Sequence, residues 1–199
     1  MKKAIFLLTL IFCTMSCTEN GGKGRDAMEV ILHRSSVRSY TDEKVSDEDI
    51  QTLLKAGMAA PSAMNWQPWS FVVVNTREDL DSLAATNPHA KMMYKAPLAI
   101  VVCGKTEWAV GGGESVPNPY WDQDCSAVTQ NILLAADYLG LGAVWTGCFP
   151  REERTSGVKK VLGIPEGVEP LSVIVIGHPA KEYTPKDKWN PDCIHYNKW

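Results

Sequence analysis

Apolar positions recur along this chain with two periods, and the change from one to the other marks out its elements. Met28, Ile31 and Leu32 have helical spacing and predict a short helix over Asp26 to Arg34, followed by a loop. Ser46-Asp47-Glu48-Asp49 offers an N-cap hydroxyl and first-turn acids. Ile50, Leu53 and Leu54 continue as an apolar stripe to about Ala60, where Pro61 stops the helix. Phe71-Val72-Val73-Val74, Ala99-Ile100-Val101-Val102 and Leu171 to Ile176 are β-branched runs between breakers, which predicts strands buried on both faces. Asp122 to Leu139 is the longest helix, nearly all apolar from Ile132 to Ala136 and so expected to be central; it ends at Gly140. Gly140 to Gly147 returns through a strand to a glycine turn, and Glu152 to Leu162 forms a further helix. Gly104 to Trp121, with Gly111-Gly112-Gly113, Pro117 and Pro119, reads as a mobile loop or lid, and the stretch after Gly177 as a tail that wraps over a surface.

The start of the chain changes the picture of where it works. Residues 1–16 read as a signal peptide: Lys2 and Lys3 precede an apolar stretch, Ala4 to Phe12, that is too short to span a membrane. Thr14-Met15-Ser16-Cys17 places a small residue before cysteine and resembles a bacterial lipoprotein cleavage site, with Cys17 as the lipidated N-terminus; Cys13 follows Phe12 and fits less well. The expected location is the bacterial cell envelope, as an exported, membrane-anchored lipoprotein. An ordinary cleaved signal and an uncleaved anchor are the alternatives. Residues 17–25, polar and glycine-containing beyond the cysteine, form a flexible tether, and residues 26–199 fit one domain.

Composition narrows the function. A formal charge of -3 from 20 basic and 23 acidic residues provides no broad electropositive surface, which argues against nucleic acid as a partner. Cys103, Cys125, Cys148 and Cys193 form no C-x-x-C and no zinc-finger spacing with histidine, so mostly buried thiols are expected. His33, His89, His178 and His195 show no H-x-x-x-H spacing and no paired carboxylate, so no metal site is expected; the absence of G-x-S-x-G removes the common serine-hydrolase signature.

Two short stretches carry the chemistry. Arg34-Ser35-Ser36-Val37-Arg38 puts two guanidiniums and two hydroxyls within five residues, a donor set suited to a phosphate-bearing ligand. Ala60-Pro61-Ser62-Ala63-Met64-Asn65-Trp66-Gln67-Pro68-Trp69 joins a turn to amide and indole side chains, which can hydrogen-bond the rim of a flat heterocycle and cover its face. With the Gly-Leu-Gly-Ala-Val-Trp-Thr-Gly run at 140–147, and Gly177-His178-Pro179-Ala180 followed by Lys186-Asp187-Lys188, these pieces in this order resemble the FMN-dependent nitroreductase family over roughly residues 26–199.

The resemblance implies an α+β fold, a mainly antiparallel central sheet wrapped by helices, in an intertwined homodimer with FMN at the interface. It implies that Arg34, Ser35, Ser36 and Arg38 contact the phosphate, ribityl and pyrimidine region, and that Lys186 and Lys188 close on the phosphate. Lysine at 188, where the family often has arginine, keeps the charge and loses the bidentate fork. Pro61, Ser62, Ala63 and Asn65 would reach the flavin of the opposite subunit, and the Thr146-Gly147 turn would present a backbone N–H to flavin N5. The implied activity is reduction of small acceptors (nitroaromatics, quinones or activated alkenes) with NADH or NADPH, by ping-pong hydride transfer through FMN. No catalytic side chain is expected beyond the cofactor, and the membrane is met only through the lipid. The alternative is a lipid-anchored binding protein for a flavin or small aromatic, with little turnover. Tyr94, Trp108, Tyr120 and Trp121 are candidates for the substrate side, with packing of the dimer as the alternative.

Overall fold

The computed structural model describes residues 26–199; the expected signal peptide, lipidated Cys17 and tether fall on residues 1–25, outside the described residues. Helices α1 (Ala27–His33), α2 (Asp47–Met58), α3 (Arg77–Ala85), α4 (Trp121–Tyr138) and α5 (Glu152–Leu162) accompany strands β1 (Trp69–Val74), β2 (Leu98–Lys105), β3 (Glu107–Ala109), β4 (Ser115–Pro117), β5 (Gly142–Gly147) and β6 (Val168–Gly177). β1, β2, β6 and β5 lie in that order in one antiparallel sheet, with β3 and β4 paired separately. Successive strand side chains point to opposite faces, so alternation sorts the core into two layers. Leu98, Ile100 and Val102 of β2, with Ile174 and Ile176 of β6, pack with Leu53 of α2 and Val128 and Ile132 of α4. Ala99, Val101 and Cys103, with Val173 and Val175, pack with Leu80 and Leu83 of α3 and Val158 of α5. The fold is α+β with its sheet covered on both faces, as the resemblance implies.

Local chemistry explains the ends of the helices. Ser46 Oγ accepts the Asp49 N–H at 3.0 Å and caps α2, as its sequence predicts. α5 stops at Gly163, whose φ of 64° is a left-handed conformation that glycine adopts at no steric cost.

Three expectations are corrected. β1 lies at the sheet edge and is only partly covered, so it is not buried on both faces. Residues 104–121 hold an antiparallel hairpin in place of a loop or lid: β3 and β4 pair, Trp108 Nε1–H donates to Pro117 O at 2.6 Å, and Asn118 N–H donates to Thr106 O at 2.8 Å. Met28 and Leu32 of α1 are 61% and 70% exposed, and Ile31 is exposed as well, so the stripe that predicts this helix faces outward; Val30 is the buried position. The tail beyond Gly177 is irregular and mostly exposed, apart from a short 3₁₀ turn at Pro191–Cys193.

Candidate functional site

The segment after α1 reaches its position because one residue of β5 has no side chain. Val37 N–H donates to Ala143 O at 3.0 Å, and Ser36 forms a parallel bridge to Ala143, so the segment lies along the edge of β5. A Cβ on Gly142 would sit 2.6 Å from Val37 Cγ1 and 2.9 Å from its Cβ; only glycine admits this approach. Tyr40 closes the segment: its hydroxyl lies 2.6 Å from Val37 O and 3.0 Å from Val175 O, and burial pushes the phenol well above its ordinary range.

Arg34, Ser35, Ser36 and Arg38 line a cavity of about 330 Å³ with Tyr183, Thr184, Lys186 and Lys188. This is room for on the order of ten water molecules. Four cations converge there, no carboxylate lines the space, and among the described residues none of the four forms an ion pair. Like charges gathered this way repel one another, and an anion relieves the repulsion while accepting from guanidinium, ammonium and hydroxyl donors. A phosphate monoester fits this donor set. Arg38 Nη1–H also donates to Ser36 O at 3.2 Å, which steadies the guanidinium at the rim.

The second stretch forms a separate wall. Among the described residues, four without the freedom of glycine have positive φ, and three of them, Met64 (51°), Asn65 (56°) and Gln67 (50°), lie here. Backbone held in this region is strained and persists where the surroundings over-determine it. Here Gln67 N–H donates to Ser62 Oγ at 3.0 Å, Gln67 Nε2–H to Asn65 Oδ1 at 3.1 Å, and Ala63 N–H to Asp124 Oδ1 at 3.0 Å. Gln67 engages the Asn65 oxygen, which leaves the Asn65 amide hydrogens available as donors. Asp124 is 7% exposed, and its Oδ2 is buried without a hydrogen-bond partner among the described residues. Asn65, Trp66, Gln67 and Pro68 border a cavity of about 440 Å³ with Lys105, Glu107 and Trp108 of the hairpin. Trp66 meets Trp108 edge to face, and Tyr120 lies 6.4 Å beyond Trp108.

Thr146 and Gly147 end β5. Thr146 is buried and its Oγ1–H donates to Val173 O at 2.8 Å, so only backbone remains available at this turn; Gly147 O accepts from Arg154 Nη1 at 3.1 Å. Of the predicted site residues, Arg34, Ser35, Ser36, Arg38, Lys186 and Lys188 share one cavity. Asn65 borders the second cavity, Pro61, Ser62 and Ala63 precede it in the same loop and line neither cavity, and Thr146 and Gly147 lie apart at the end of β5. Tyr94 is exposed, whereas Trp121 is buried in the core, 4.8 Å from Phe149, and is removed from the candidates for the substrate side.

Two residues escape the sequence reading. Asp124 carries no sequence signal, because an acid in the first turn of a helix is ordinary. Asp137 does carry one: it is an acid in the last turn of α4, against the helix dipole, and His33 Nδ1 lies 2.8 Å from its Oδ1. The expectation that no histidine has a carboxylate partner is thereby corrected, because the pair spans 104 residues and sequence spacing cannot show it. Among the described residues no cluster of ligating side chains suits a metal ion. Cys103, Cys125 and Cys148 are buried free thiols, pushed up to about 12 by burial, while Cys193 is exposed.

Comparison with known proteins places the chain in a family. The nitroreductase family model matches residues 31–89 and 81–178. A protein of Archaeoglobus fulgidus, provisionally named NADH dehydrogenase/NAD(P)H nitroreductase, is 45% identical over 177 residues, covering 87% of this chain and 99% of that protein. A Bacillus subtilis FMN reductase (NADPH) is 29% identical over 186 residues, covering 86% of this chain and 73% of that one. A Bacteroides thetaiotaomicron crystal structure with the same provisional name as the Archaeoglobus protein superposes with a TM-score of 0.81 at 46% identity, over 88% of this chain and 99% of the other. A Desulfovibrio desulfuricans crystal structure, provisionally named a nitroreductase and solved in complex with FMN, superposes with a TM-score of 0.71 at 30% identity, over 88% of this chain and 99% of that one. With its sheet order, its cationic cavity and these likenesses, the chain belongs to the nitroreductase family.

Proposed function

We propose that this protein reduces small, flat electron acceptors such as nitroaromatics, quinones or activated alkenes, in alternating half-reactions that use NADH or NADPH as donor. At the level of the family the chain is an FMN-dependent NAD(P)H oxidoreductase. Bound FMN would supply the hydride and electron chemistry between nicotinamide and acceptor. The chain's own residues bind, orient and enclose. Arg34, Arg38, Lys186 and Lys188 hold the phosphate, with Ser35, Ser36 and Thr184 adding hydroxyl contacts. The Thr146-Gly147 turn contributes backbone, because the Thr146 side chain is committed to the sheet. The observation that carries this reading is the meeting of four cations in one cavity with no carboxylate among them.

Homodimerisation is part of the proposal. Pro61, Ser62, Ala63 and Asn65 do not line the cationic cavity, and Asn65 borders the hairpin cavity instead, as expected if each protomer's loop serves its partner's site. The outward face of α1 and an apolar groove of about 520 Å³, lined by Val30, Ile31, Ala56, Leu134 and Tyr138, give a second copy apolar surface to bury. Trp66, Trp108 and Tyr120 form an aromatic wall against which a planar acceptor can stack. Attachment to the cell-envelope membrane through lipidated Cys17 completes the proposal, supported by the sequence pattern before that cysteine. Stoichiometric FMN in a purified dimer, by absorbance and sedimentation, is the expected result; a flavin-free monomer would refute both cofactor and assembly.

A further inference from the structure

One buried carboxylate ties together the two chain segments that supply the cationic cavity. Asp137 is 3% exposed, at the negative end of α4, where the helix itself disfavours an acid. His33 and Tyr183 both reach its Oδ1: His33 Nδ1 at 2.8 Å and the Tyr183 hydroxyl at 3.0 Å, with their rings packed 5.2 Å apart. A carboxylate only accepts, so both partners donate. His33 immediately precedes Arg34, and Ser35 Oγ–H donates to its carbonyl at 3.1 Å, so this arm of the cavity starts from the clasp. Tyr183 lines the cavity and lies three residues before Lys186. Among the described residues, none from Thr184 to Lys188 hydrogen-bonds to a distant part of the chain. Tyr183 is therefore the last fixed point before the lysines. Three extended residues reach about 10 Å, so releasing that point lets the ammonium groups leave the cavity.

We propose that Asp137 is a positioning residue that sets selectivity for the phosphorylated flavin, by holding the Arg34–Arg38 arm and the Lys186–Lys188 arm at one spacing. The inference rests on the FMN reading of the site. Riboflavin shares the ring and ribityl chain of FMN and lacks the phosphate, so the ratio of the two affinities reports on the cationic arms separately from the rest of the fold.

The test uses the full-length protein, Asp137→Asn and Tyr183→Phe, stripped of flavin and titrated with FMN and with riboflavin by flavin fluorescence. In both variants the Kd for FMN is expected to rise about tenfold or more, with the riboflavin Kd changing less than twofold. Tyr183→Phe keeps the ring against His33 and carries the test alone if Asp137→Asn does not fold. A parallel rise in both Kd values with a lowered thermal midpoint overturns the proposal, because the clasp would then only support the fold. An unchanged FMN Kd in Tyr183→Phe overturns it too. Wild-type protein that binds neither flavin would defeat the cofactor reading and this inference with it.

Discussion

Replacing Gly142 with alanine tests whether the close approach of the Arg34–Arg38 segment to β5 creates the cationic cavity. The φ of Gly142 lies outside the left-handed region, so alanine meets no backbone penalty and the effect is one of contact. Its Cβ would lie 2.6 Å from Val37 Cγ1, 2.9 Å from Val37 Cβ and 3.3 Å from Pro179 Cγ. Val37 is buried and branched at Cβ, so it has no flexible end to move aside, and the segment itself must shift. Overpacking of this kind costs about 1 to 3 kcal/mol, against about 0.4 to 1 kcal/mol gained by restricting the unfolded chain. With contacts of 2.6 and 2.9 Å on a buried branched side chain the upper part of that range applies, about 2 to 3 kcal/mol, so the contact term wins by about 1 to 2 kcal/mol, which lowers Tm by about 2 to 8 °C in a domain of this size. Thermal unfolding and FMN titration read the two consequences, a lower Tm and an FMN Kd raised about tenfold. Val37→Ala removes the nearest clashing atom, so the double variant should recover part of both losses and the two changes should not add. Gly111→Ala, with open space around it, is the neutral comparison. An unchanged Tm and Kd in Gly142→Ala, or strict additivity with Val37→Ala, would refute the reasoning.

Other consequences can be checked separately. Arg38→Ala removes a charge-assisted contact of about 1.5 to 3 kcal/mol, so FMN affinity by titration should fall from about tenfold to about a hundredfold. Asp124→Ala deletes the acceptor for the Ala63 N–H, and should leave that strained loop more open to proteolysis, read as faster cleavage at residues 62–67. The thiols of Cys103, Cys125 and Cys148 are pushed up to about 12 from an ordinary 9.0, so the unfolded chain ionises first; urea midpoints should be steady below pH 9 and fall as pH rises from 9 toward 12. Of those three and Cys193, only Cys193 should be alkylated in the native protein, as read by peptide mass. Cys17→Ala should move the protein out of the membrane fraction with its spectrum unchanged, and retention in that fraction would contradict lipid attachment.

Where one residue's neighbours in sequence decide its conformation, the chain was readable in advance. Ser46 capping, the end of α5 at Gly163 and the doubly buried β2 and β6 are such cases. α3 has only Leu80, Leu83 and Ala84 to bury and offers a weak helical stripe, so tertiary packing between β1 and α5 reveals it better than periodicity does. The hairpin at 107–117 is hidden by its glycines, because pairing and the Trp108–Pro117 contact fix it rather than local preference. The Arg34–Arg38 motif was legible as a candidate anion-binding stretch from residue types alone. That Lys186 and Lys188 join it came from the resemblance and not from residue types, and that Asp137 meets both His33, 104 residues away, and Tyr183, 46 residues away, no local pattern shows.

The most direct test of the central claim is the visible spectrum of the purified protein before and after anaerobic addition of NADH and then NADPH. A yellow protein whose flavin absorbance bleaches with one of them, and returns on addition of a nitroaromatic or quinone, is the predicted result. Colourless protein that FMN cannot reconstitute would contradict the cofactor, and bound flavin that neither nucleotide reduces would contradict the donor.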